Sequence, residues 1–163
     1  MTRLEPEPIS AAERARRLKH ATRVARRLGF VGRVEYRHVF SGAGGAQFGL
    51  GSSAANDLLV VYAEAFARDA NPKDFSLDAI IAHERGHQSV CRSAALKQCL
   101  GEKIGLNAEE ILASLVGSLL VESATDCQAL VLKALDEAIR CGVEISDAME
   151  LVFEFRRFLE DRL

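Results

Sequence analysis

Between Arg33 and Phe40 the chain alternates, with Val34, Tyr36, His38 and Phe40 on one side and mostly charged residues on the other. A period of two is that of a half-buried strand. Gln47 to Gly51 reads as a further short strand, and Asp57 to Ala63 (DLLVVYA) as a stronger one, rich in β-branched residues. Between the first two lies Ser41-Gly42-Ala43-Gly44-Gly45-Ala46, a glycine-rich loop. It lacks the Gly-Lys-Ser/Thr of a phosphate cradle, so it turns the chain or acts as a lid over a groove. Elsewhere the period lengthens. Ile111, Leu112, Leu115, Val116, Leu119 and Leu120 recur at helical spacing, continued by Leu130, Val131, Ala134, Leu135 and Ile139 before Gly142. This is either one long helix or two broken near Gly117.

Local signals bound the remaining helices. Ser10-Ala11-Ala12-Glu13 is a capping box opening a helix that runs to Leu28 and stops at Gly29. Ser76 caps a second, with Asp78 in its first turn and Ile80, Ile81 and Val90 to bury, ending before Gly101. Asn107-Ala108-Glu109-Glu110 is another capping box, and Ser146 opens a last helix carrying Leu151, Val152, Phe155, Phe158 and Leu159. The expected fold is α+β and mostly helical, a single domain over residues 1–163. It comprises a basic N-terminal helix (1–30), a small sheet of two or three strands (31–64), a central helix (76–100), a helix or helix pair (107–142) and a C-terminal helix (146–163).

Composition narrows the function without naming it. The chain has 163 residues, 48% hydrophobic and 27% charged, an ordinary soluble balance. A formal net charge of -2 gives no electrostatic case for nucleic acid, and the first helix, basic through Arg16, Arg17, Lys19, Arg23, Arg26 and Arg27, reads as a solvated face. The start has no apolar signal region, and the longest apolar run, Ile111 to Val121, falls short of a bilayer span. A cytoplasmic protein without a membrane anchor is expected. Cys91, Cys99, Cys127 and Cys141 have no metal-type pairing and read as small buried hydrophobes. Cys91 is the exception, four residues after His87 and near the face discussed next.

The chemistry lies in Ala82-His83-Glu84-Arg85-Gly86-His87-Gln88. Histidines four apart on a helix leave the same face and can share one metal ion. Glu84, roughly 100° round the axis, is placed as the general base for a water activated by that ion. A hydrolytic zinc needs a third protein ligand, and no histidine follows Gln88. A carboxylate must therefore supply it. Glu122 is the candidate, because it follows the apolar Leu119-Leu120-Val121, where an unpaired charge is costly. Asp126, four residues on, is placed to accept the distal N–H of a ligating histidine. The alternative is that both acids face water or pair with Lys or Arg.

His-Glu-x-x-His followed some 35 residues later by Glu-x-x-x-Asp resembles the gluzincin type of zinc metallopeptidase, most closely the small ImmA/IrrE-like enzymes. The resemblance runs from Asp57 to about Leu132 and is specific at the motifs. It implies a minimal zincin-like fold and one zinc ion per chain on His83, His87 and Glu122, with Glu84 as base and Asp126 behind a ligand. It also implies a peptide or protein substrate held by backbone pairing along an edge strand, which here would be residues 57–63. Gluzincins often stabilise the oxyanion with a later His or Tyr. Here neither follows Gln88, leaving Tyr36, His38 and Tyr62, all upstream. Two competing expectations accompany peptide hydrolysis: a zinc-binding regulatory module that cleaves poorly or not at all, and a chance motif in a helical interaction protein.

Overall fold

The computed structural model describes residues 5–42, 44–67, 75–96 and 108–162. It is α+β, as the periodicities predict. Helix α1 (Ala11–Arg27) is followed by strands β1 (Arg33–Arg37), β2 (Ala46–Gly49) and β3 (Leu58–Tyr62), with short 3-10 turns at Ala54–Asn56 and Ala63–Phe66. Then come α2 (Leu77–Arg92), α3 (Ala108–Leu120), α4 (Ala124–Arg140) and α5 (Ile145–Glu160). The central helix, expected to run to residue 100, instead ends at Arg92, where Ser93 turns to an extended conformation; Asn107 and Cys99 lie outside the described residues.

Ser10 and Ser76 cap their helices as expected, whereas the last helix begins at Ile145 after Glu144, ahead of the expected Ser146. Ser10 accepts from the Glu13 N–H at 3.1 Å, although the Glu13 carboxylate turns outward to Arg16 and Arg17 rather than back to the cap. Gly29 takes φ 85°, the left-handed conformation that ends α1. Ser76 accepts from the Ala79 N–H at 3.1 Å. The apolar run after residue 108 is two helices, and the break falls at residues 121–123 rather than at Gly117.

The sheet is mixed, in the order β1-β3-β2, with β1 parallel and β2 antiparallel to β3. Residues 57–63 therefore form the central strand, with both neighbours already paired. That corrects the expectation of an edge there: among the described residues the edges are β1 and β2.

Helix α2 separates two cores. On one side Ile81 and Ala82 pack with Leu59 and Val61 of the sheet, Val24 of α1 and Leu28 just after it. On the other, Val90 packs with Leu112, Leu115 and Val116 of α3, then Ala134, Val152 and Leu159 of the last two helices. An Asp57 network fixes the C-terminal end of α2 against the sheet. Asp57, fully buried, accepts from Arg92 at 2.5 and 3.1 Å, from Gln88 at 2.8 Å and from the Gly51 N–H at 2.7 Å. Gln88 also bonds both backbone groups of Val31. Burial opposes the ionised form of Asp57, but these donors outweigh it and hold the carboxyl below its ordinary range.

Candidate metal centre and its cleft

Helices α2 and α3 approach closely because each carries a glycine where they cross. A β-carbon on Gly86 would lie 2.0 Å from the Ala113 carbonyl oxygen, and one on Gly117 would lie 2.8 Å from that of Ala82. The bare backbone at Gly86 thus admits the neighbouring helix. This contact brings the first turn of α3 over the two histidines. Glu110 lies one turn before Ser114 and two before Gly117, on the same face of α3.

His83, His87 and Glu110 form a group whose ligand atoms all lie within 4.8 Å of one another, and it could hold a metal ion. The two Nε2 atoms are 3.2 Å apart. Glu110 reaches both, Oε2 to His83 at 3.0 Å and Oε1 to His87 at 3.1 Å. Two nitrogens with ligand bonds near 2.0–2.1 Å around a tetrahedral ion stand about 3.3 Å apart, so the separation of the two imidazole nitrogens fits such an ion. Imidazole nitrogens facing each other this closely need a cation or a shared proton between them.

The outer nitrogens are held as well. His83 Nδ1 lies 2.9 Å from Ser114 Oγ, and His87 Nδ1 lies 3.0 Å from Glu109 Oε1. The Cys91 thiol lies 3.6 Å from that same Glu109 oxygen, which puts it behind the ligands rather than in the core. Such partners fix each ring so that Nε2 is the nitrogen offered to an ion.

Electrostatics follow from this packing. Burial pushes His83 below its ordinary range. Burial also opposes a charged His87, but Glu110, Glu84 and Glu109 outweigh it and carry the ring up to about 9. Hydrogen bonds from the two histidines hold Glu110 well below the usual carboxylate range. Glu84, 9% exposed, is raised to about 7 chiefly by burial, while the Phe48 N–H of β2 hydrogen-bonds its carboxylate.

The third member of the cluster, its carboxylate, is thus Glu110 and not Glu122. Glu122 is exposed in the bend between α3 and α4. Asp126 accepts from the Ser76 hydroxyl at 2.7 Å, so it ties the start of α4 to the start of α2 instead of orienting a histidine. His83, Glu84 and His87 are brought together as expected. In the sequence alone, Glu109 and Glu110 read only as acids of a helix-start capping box.

The cluster forms part of the wall of a cleft of about 1050 Å³. Gln47 and Phe48 of β2 also line it, as do Gly42 and Gly44 of the glycine-rich loop. The glycine-rich loop is tied down at its start, since Glu64 Oε1 accepts from the Ser41 and Gly42 N–H groups at 2.6 and 2.8 Å. Tyr62 lines the cleft, but its hydroxyl donates to Gln47 at 2.7 Å. Tyr36 and His38 are bonded to each other at 2.8 Å, and Tyr36 is also bonded to Arg17 of α1. Among the described residues, no helix is long and apolar enough to cross a membrane. Comparison of the chain with protein-family models, with curated proteins and with solved structures finds no match.

Proposed function

We propose that this chain is a zinc-dependent peptide hydrolase of gluzincin type, its ion held by His83, His87 and Glu110. One observation carries the reading: two imidazoles, a carboxylate at ligand spacing and a second, buried carboxylate, Glu84, line one cleft. Two nitrogens and one oxygen suit zinc and leave its fourth position open. When bound, zinc supplies acidification of water and polarisation of a carbonyl oxygen.

The chain's own residues supply the rest. Glu84, raised to about 7, is matched to take a proton from the attacking water near neutral pH and return it to the leaving amine. Ser114 and Glu109 keep the imidazoles aimed. Strand β2 is an edge beside Glu84, and an extended peptide can pair with its outer side. Relative to the resemblance, the liganding glutamate lies 23 residues after the second histidine, nearer than the spacing to Glu122.

The test is cleavage of a peptide library by the zinc-loaded chain, with zinc counted by elemental analysis. Glu84→Gln should keep about one equivalent of zinc and lose about 10²–10⁴-fold in kcat. Wild-type turnover in that variant would reject the assignment. The second reading, a zinc-binding module without turnover, is favoured by one observation: the three His and Tyr candidates for oxyanion stabilisation all have other partners. Zinc at one equivalent with no cleavage of any peptide would select it.

A further inference from the structure

Leu130, Lys133 and Arg140 all line the cleft, and at positions i, i+3 and i+10 they fall on one stripe of α4. Arg140 is exposed, whereas Lys133 is half-buried. None of the ion pairs among the described residues involves Lys133. It lines the same cleft as His83, Glu84, His87 and Glu110. A fixed ammonium beside a group that collects a cation opposes the binding of that cation. Only an anion lying between them reverses the sign.

We propose that Lys133 is a catalytic residue, its ammonium donating a hydrogen bond to the anionic oxygen that forms at the attacked carbonyl; this rests on the peptide-hydrolase reading. In the first step the water oxygen bonds to the carbonyl carbon, the water proton passes to Glu84, and the carbonyl π pair moves onto oxygen. That oxygen faces Lys133. In the second step the pair returns, the C–N bond breaks, and the proton on Glu84 goes to the leaving nitrogen. Lys133 keeps its own protons throughout. The substrate carbonyl is neutral and the transition state anionic, so the interaction strengthens where it accelerates the reaction. Lys133 fills the role that Tyr36, His38 and Tyr62 cannot.

The experiment compares the zinc-loaded full chain with Lys133→Met and Lys133→Arg, using a cleaved peptide from the library and its C-terminal amide. Lys133→Met should lose about 10²–10³-fold in kcat with little change in KM, on the acid and the amide alike. Lys133→Arg should recover part of the loss. Two readouts do not depend on turnover. A phosphinic peptide, whose phosphorus centre is tetrahedral and anionic, should bind Lys133→Met about 10²-fold more weakly by calorimetry. Zinc titrated into metal-free Lys133→Met should bind at least as tightly as to wild type. Unchanged kcat, weakened zinc binding, or a KM defect that disappears with the amide would each overturn the role. Failure of the wild type to cleave any peptide overturns the hydrolase reading itself, whereas wild-type cleavage with full activity in Lys133→Met removes only this inference.

Discussion

At the scale of single residues, the site turns on which acid reaches the histidines. Glu110 lies about 3 Å from both Nε2 atoms, while Glu122 sits exposed in a bend. Glu110→Gln keeps the shape of the side chain but removes the charge an ion would meet. It should weaken zinc binding by at least 10-fold in a competition titration, while Glu122→Gln leaves it unchanged. Equal losses in the two variants would contradict the ligand set. Glu109→Gln should fall between them, because the carboxylate behind His87 orients the ring without touching the ion.

At the scale of elements, the crossing of α2 and α3 decides whether the site exists. A methyl group on Gly86 meets backbone at 2.0 Å, and backbone cannot rotate away as a side chain can. Gly86→Ala should therefore cost about 3 kcal/mol or more and loosen zinc binding as well, seen together as a lower urea midpoint and a weaker titration. An Ala variant as stable as wild type would mean that the helices can part without loss. This crossing also explains what the sequence hid. His83, Glu84 and His87 were legible because one helix fixes their geometry through its own period. Glu110 was not, since its place depends on the packing of a second helix. The signal that marks it is the small residues Ala113, Ser114 and Gly117 following it, which in sequence read as parts of an apolar run or, at Gly117, as a helix break. The strands were legible in position from alternation, but their order was not. Asp57–Ala63, the most apolar strand, is central because both of its edges need partners, and the shorter Ala46–Gly49 takes the edge. The Asp57 network lies at this scale too. Its carboxyl is held below the ordinary range, so its contribution is complete above about pH 4, the unfolded value, and is lost as pH falls through the lower folded value. Asp57→Asn should flatten the acid limb of the stability curve measured by urea midpoints between about pH 5 and 2, and wild-type curvature there would refute the role.

At the scale of the molecule, α2 is shared by two cores. One joins it to α1 and the sheet, the other to the last three helices. Among the described residues, the polar contacts between α2 and α3 include the histidine–glutamate contacts, the His83–Ser114 bond and the Cys91–Glu109 contact. An ion held by His83, His87 and Glu110 would therefore bind only when α2 and α3 are docked, and it adds to folding stability by mass action. At a free concentration 100 times Kd the gain is about 2.7 kcal/mol. A chain of this size shifts by about 2–4 °C per kcal/mol, so zinc should raise Tm by about 5–10 °C, and a chelator should reverse it. The same rise should be absent in Glu110→Gln and intact in Glu122→Gln, since only the first acid bridges the two helices. If zinc left Tm unchanged in the wild type, or raised it equally in both variants, the ion would be binding somewhere other than the crossing of α2 and α3, and neither Glu84 nor Lys133 would stand beside it.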